Sequence, residues 1–414
     1  MAKSTMRELL TPHKIISVAS GSFAMLGRLL NNDLRPYVDA FNCLARAADE
    51  IEDLEDQIEK AATGVVPIAA FGETAGFENS EGIRVRVSAE EKSRYFDDYL
   101  RLLDGERPQH FMDARAFSQS LANKIDPERK ERFVIENLED VIHAYEGFEK
   151  WIKYGMRERI QQIIADMNAF QRVKIQTMPD YLAYCDVVAG QVAAFLHFLV
   201  TGKRGWGGLD EALSKKGSEI IPKQMGGPDM RGAYSAARAV QIVNMLRDVR
   251  EDYDEGRFLL PAKLTEKRKS QLMEGGLEAE DVFEGGDVEE ILRHNRVEAN
   301  LSAHERRVLL TGLRKLIGVA TREFRIGMNY TYDAYAIHKD YGKFYMAALA
   351  IYSQRMKKMH DNLGIFFDES AAEISALRKL STFARVRFFP YSKQEFEGKF
   401  VKPHEDYLSQ IRQE

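Results

Sequence analysis

The sequence predicts an all-α protein. Three observations predict it: 11 prolines in 414 residues, long stretches rich in Ala, Leu, Arg, Glu and Met, which lose little side-chain freedom in a helix, and no run of sustained period-two alternation. No internal repeat of about twenty to fifty residues is visible either.

In chain order the helices are expected at 22–30, 34–61, 88–103, 128–169, 178–200, 209–216, 230–254, 289–316, 319–335, 342–361 and 370–386. Two stretches interrupt them. Residues 62–87, centred on TGVVPIAAFGETAGFENSEG (Thr63 to Gly82), are glycine-rich and weakly periodic and read as a loop or short lid. EGGLEAEDVFEGGDVEE (Glu274 to Glu290) reads as an acidic linker with two glycine pairs. Neither is long enough to divide the chain, so a single domain over 1–414 is expected. GKRGWGG (Gly202 to Gly208) lacks the spacing and the Lys-Ser/Thr ending of a P-loop and reads as a helix-ending turn.

With 59 Lys+Arg against 64 Asp+Glu, the net charge is −5. No basic excess exists to release counterions, so nucleic acid is not expected as a partner. Two cysteines, Cys43 and Cys185, exclude a disulfide framework and fit a reducing cytoplasm. The N-terminus lacks the apolar core and cleavage pattern of a secretory signal. YLAYCDVVAGQVAAFLHFLV (Tyr181 to Val200) has the length of a membrane span, yet Asp186, Gln191 and His197 interrupt it, and it reads as a buried helix. No transmembrane anchor is expected.

The chemistry concentrates in NMLRDVREDYDEGRFLLP, Asn244 to Pro261, where five acids and three arginines share eighteen positions. Asp248, Glu251 and Asp252 fall at i, i+3, i+4 and so share one helical face. Like charges at that spacing repel by a few tenths of a kcal/mol per pair unless a cation lies between them. The face is therefore either fully wet or built for something positive. Asp49, Glu52 and Asp53 in FNCLARAADEIEDLEDQIEK repeat the spacing about two hundred residues earlier. Arg46 precedes the first cluster by three residues, and Arg247 precedes the second immediately. Oxygen ligands without His or Cys suit Mg²⁺, which keeps several waters and is completed by substrate phosphates. Two such faces can hold a diphosphate through Mg²⁺, with arginines on its remaining oxygens. That machinery removes diphosphate from an allylic carbon and leaves a carbocation.

Four segments, in order, resemble the squalene/phytoene synthase family. QIVNMLRDVREDYDEGRFLLP from Gln241 is similar to its second aspartate-rich motif, ARAADEIED to its first, YCDVVAGQVAAFL to its third signature, and SGSF (Ser20 to Phe23) to its S-x-S-F entry segment. The match is strong over 15–60, 180–200 and 234–264, while 62–175 shows no motif that aligns.

The resemblance implies a class I isoprenoid synthase bundle around a central cavity and a head-to-head prenyltransferase. Its substrate would be a prenyl diphosphate, farnesyl diphosphate first, and the product squalene if NADPH delivers hydride. By resemblance, Asp49, Glu52, Asp53, Asp248, Glu251 and Asp252 hold Mg²⁺. Ser20, Ser22, Arg46 and Arg247 contact diphosphate, Tyr184 lies near the reacting carbons, and Phe23, Val188, Gly190, Gln241 and Asn244 line the cavity. Gly21 stands where members usually carry a basic residue and Asn42 where a tyrosine often stands, which leaves the product open.

Phytoene, dehydrosqualene or hydroxysqualene formation stays open, as does a class I terpene cyclase or an inactive assembly protein. On the residues alone, Asn244 and Gln241 are either cavity-facing or ordinary buried amides, and Ala189, Gly190, Ala193 and Ala194 either line a tunnel or pack a helix. His197 reads as a core histidine. LRKLSTFARVRFF (Leu377 to Phe389) is either a plain surface helix or a peripheral membrane contact of a cytoplasmic protein.

Overall fold

The computed structural model describes residues 9–52, 54, 89–125, 127–170, 175–205, 229–254, 258–264, 266–274 and 281–411. It is all-α, with no strand among the described residues. The expected loop or lid at 62–87, the helix at 209–216, and Asp53 lie outside the described residues. The chain clusters into two compact units, Met1–Asp166 with Thr201–Met225, and Met167–Val200 with Gly226–Glu414.

In the first unit the Arg35–Glu52 helix supplies the core. Cys43, Leu44, Ala47, Ala48 and Ile51 are fully buried on one stripe, while Arg46 and Asp49 lie partly exposed on another face. The Pro12–Ala19 helix starts with proline at its first turn and Thr11 as N-cap, and it buries Ile15 and Ile16. Buried hydroxyls close backbone gaps: Tyr99 donates to the Leu44 carbonyl at 2.7 Å and Tyr145 to that of Leu103 at 3.0 Å.

Residues 128–169, expected as one helix, form three: Arg132–Glu136, Leu138–Glu146 and Lys150–Phe170. The breaks fall at Asn137, whose side-chain amide bonds back to the Phe133 carbonyl at 2.8 Å, and at Gly147. Pro12–Ala19 and Ala114–Ala122 are helices that composition did not reveal.

In the second unit the Met230–Arg247 helix packs on Ala303–Ile337, a single 35-residue helix where two were expected. A Ser302/Glu305 capping box starts it. Gly327 lets the two backbones approach: a Cβ there would stand 2.7 Å from the Ala236 Cα. Lys339–Lys358 completes the inner layer. Arg325 draws the C-terminal turns onto the long helix by donating to Glu397 at 2.8 Å and Glu405 at 2.6 Å.

The acidic 274–290 stretch packs down where it is described: Val282 and Phe283 are buried, and Phe283 lies against Gly312.

Met178–Thr201 is long and apolar enough to cross a membrane. Its polar residues are nonetheless engaged inside the unit. His197 Nδ1 pairs with the Tyr330 hydroxyl at 2.9 Å, and Arg238 forks Asp186 with donor distances of 2.6 and 2.5 Å. His197 is thus a satisfied core histidine, within a buried group that includes Tyr330, Tyr341 and Tyr345.

Candidate active site

The second acidic motif begins where a helix breaks. Met230–Arg247 ends with Asp248 as C-cap (φ −94, ψ 8), and Val249–Asp254 follows at once. The Asp252 N–H donates to the Asp248 carbonyl at 2.8 Å, so the i, i+4 relation survives the bend. Asp252 is buried at 9 % exposure, while Glu251 is exposed.

Arg247 Nε and Nη2 each donate to one oxygen of the Asp248 carboxylate, and Nη1 stands 4.0 Å from Glu373. Burial disfavours the guanidinium charge, but Asp248, with Tyr352 and Glu373 behind it, more than offsets this and the pKa of Arg247 is raised. Arg250 is taken up by Asp254 and the Leu292 carbonyl, so it serves the fold.

One turn before Asp248, the Asn244 Oδ1 is buried with no hydrogen-bond partner. So is the Tyr181 hydroxyl, whose pKa is held far above its usual range by burial, then by Cys185 and Asp252. Buried polar atoms are rarely left unpaired in a finished fold. Two of them beside one acidic turn fit a region completed by a ligand.

Upstream, Gln241 is half-buried on the same helix. Tyr184 is half-buried, with the Phe170 ring 5.6 Å from its own. Val188 and Gly190 lie in a π-helical turn, Asp186–Gly190. The Gly190 Cα carries the Tyr234 ring, 2.6 Å from where a Cβ would stand, so this glycine packs a neighbouring helix. The pairing of Asp186 with Arg238 was not expected from the sequence. Its signal was an acid inside an apolar stretch and an arginine three residues before Gln241.

In the first unit, Arg46 Nη1 donates to Asp49 Oδ2 at 3.3 Å, both side chains about a third exposed. Glu52 closes the same helix, half-buried. The Asn42 Oδ1, one turn before Arg46, is buried without a partner. Ser20 joins two short helices and its hydroxyl makes no capping bond. Phe23 is half-buried, and the Ser22 side chain and Asp53 lie outside the described residues.

Among the described residues no three His, Cys, Asp or Glu side chains converge as a ready-made metal cage. The donors nevertheless fit Mg²⁺: they are oxygens throughout, and this ion commonly takes one or two carboxylates and leaves its other positions to water and phosphate. A cleft of about 720 Å³ in the second unit, reached by Arg314, Lys315 and Arg322, contains none of these residues.

A family model described as squalene/phytoene synthase matches residues 16–378. Two solved structures of TcSQS, one with the ligand E5700 and one with BPH1237, are similar at 17 % and 16 % identity. Their TM-scores are 0.58 and 0.57; they cover 97 % and 96 % of this chain and 90 % of theirs. A dehydrosqualene synthase with bound ligand aligns at 15 % identity and TM-score 0.46, over 91 % of this chain and 94 % of its own. No curated protein sequence matches the chain.

Proposed function

The chain belongs to the squalene/phytoene synthase family of head-to-head isoprenoid synthases, and from that premise we propose that it condenses two farnesyl diphosphates through presqualene diphosphate to squalene. The observation that carries this reading is the turn at Asp248. A forked Arg247–Asp248 pair, the buried Asp252 and the unpaired Asn244 oxygen adjoin one another in sequence.

In this reading Asp248, Glu251 and Asp252, with Asp49, Glu52 and Asp53 of the first motif, hold Mg²⁺. When bound, the ion neutralises diphosphate oxygens and stabilises the leaving group. Arg247, Arg46, Ser20 and Ser22 take the remaining diphosphate oxygens. Tyr184 lies beside the reacting carbons, and Phe23, Val188, Gln241 and Asn244 shape the apolar cavity that keeps water from the cation. NADPH rests on the resemblance alone, since no G-x-G-x-x-G turn follows a strand.

Purified protein with Mg²⁺ and farnesyl or geranylgeranyl diphosphate, with and without NADPH, tests the reading by product analysis. Squalene that requires NADPH is expected, and chelation by EDTA should stop diphosphate release. A C40 product, a dehydro- or hydroxy-product, or a cyclised C15 product would each replace the squalene assignment. No diphosphate release from either substrate would leave only an inactive assembly protein.

A further inference from the structure

The Ala376–Phe388 helix presents two unlike stripes to solvent. Leu377, Leu380 and Phe388 recur at helical spacing and, with Phe389, are 78 %, 55 %, 67 % and 68 % exposed. Three large apolar side chains exposed on one short helix, with a fourth at its C-cap, are unusual for a face bathed in water.

Next to that stripe, Arg378 and Arg385 line a cavity of about 450 Å³ together with Lys357 and Lys399. Ser353, Thr382 and His404 lie in its floor, each nearly fully buried. The cavity is strongly positive. Arg385 meets Glu395 at 3.5 Å, but among the described residues Arg378, Lys357 and Lys399 have no carboxylate within salt-bridge distance. Arg378 Nε is held instead by Gln354 Oε1 at 2.5 Å, and Lys399 Nζ by the Tyr391 hydroxyl at 3.5 Å. Gln354 and Tyr391 thus fix the direction of Arg378 and Lys399, and Glu395, which also attracts Lys399, offsets part of the cavity's positive charge.

We propose that this face docks on a membrane, with an anionic phospholipid headgroup seated in the Lys357, Arg378, Arg385 and Lys399 cavity and Leu377, Leu380, Phe388 and Phe389 inserted beside it. Both halves of an interfacial contact are present: an apolar stripe for the acyl boundary, and cations that pair with phosphate. The cavity adjoining the stripe distinguishes this from a plain basic surface, because headgroup and insertion are met on one side of one helix. The proposal is independent of the product the enzyme makes.

Co-sedimentation of the full chain with vesicles of phosphatidylcholine, or of phosphatidylcholine with phosphatidylglycerol, tests it. Binding at least about tenfold tighter to the anionic vesicles is expected, and the K357Q/R378Q/K399Q variant should lose that preference while its thermal melt is unchanged. The fluorescence of the Phe388→Trp variant, altered at an exposed position, should shift to the blue on anionic vesicles. Equal binding to both vesicle types, full binding by the triple variant, or an unshifted emission from the Phe388→Trp variant would overturn the proposal. Protection from melting by inorganic phosphate with no vesicle binding would assign the cavity to a free anion instead. A protein that captures the wild type and not the triple variant, in the absence of vesicle binding, would make it a protein interface.

Discussion

Arg247 forks the carboxylate of its own neighbour, Asp248, at the point where the Met230–Arg247 helix ends. A carboxylate already matched by a guanidinium is a weak ligand for a bare cation. On the proposed function, Mg²⁺-diphosphate would offer each partner a better match, carboxylate to metal and guanidinium to phosphate. Substrate arrival should therefore exchange one pair for two.

Asp248→Asn and Asp49→Ala should each lower turnover by at least about a hundredfold, the scale of removing one stabiliser of developing charge, with helix content by circular dichroism unchanged. Arg247→Lys keeps a charge but loses the fork, and the KM for the prenyl diphosphate should rise. Full activity in either carboxylate variant would end the metal assignment.

The unpaired Asn244 Oδ1 separates cavity from core. A buried acceptor without a donor costs about 1–3 kcal/mol, so Asn244→Leu should leave urea stability equal or higher. If the oxygen serves the reaction, the same variant loses product formation. Lost stability with retained turnover would make Asn244 an ordinary buried amide.

Two glycines of the Ala303–Ile337 helix give opposite expectations. At Gly327 a Cβ would meet the Ala236 backbone, which cannot yield as a side chain would. Gly327→Ala should cost about 1–3 kcal/mol from overpacking, outweighing a helix-propensity gain of about 1 kcal/mol. At Gly318 the nearest atom, on Leu408, is 3.9 Å away. Gly318→Ala should keep that gain, and denaturant melts of the two variants should move in opposite directions.

Ser353 donates to the Phe400 carbonyl at 2.7 Å, so its oxygen is left to accept from His404 Nε2 at 2.9 Å. His404 Nδ1 then accepts from His360 Nε2 at 2.8 Å, a chain with one proton per contact. Burial, then His360 and Lys357, lowers the His404 pKa to about 3. Unfolded His404 binds a proton near pH 6.5 and the folded residue does not. Its contribution to stability is therefore intact above that pH and declines as pH falls toward about 3, by up to about 1.4 kcal/mol per pH unit. His404→Gln should flatten that arm of a stability-versus-pH curve measured by urea unfolding.

The helical class and the acidic turn were legible because both are local: composition sets helix propensity, and spacing sets which carboxylates share a face. What escaped was nonlocal. Nothing within 128–169 announces that Asn137 turns its amide back on Phe133, and nothing in 303–337 shows that Gly318 would not break that helix. The Asp186–Arg238 fork joins residues 52 positions apart and had no periodic signature. Gly190 was placed by resemblance in the cavity lining, whereas its Cα faces the Tyr234 ring. Small residues look alike in sequence whether they make room for a ligand or for a neighbouring side chain.

Cys43 and Cys185 are the chain's two thiols, one in each compact unit, both inaccessible. Burial raises both pKa values, so neither forms thiolate readily in place. An alkylating reagent must wait for the surrounding helices to open. Its reaction rate at each cysteine is therefore a separate clock for the breathing of each unit, and substrate that steadies one unit more than the other should slow one clock more than the other.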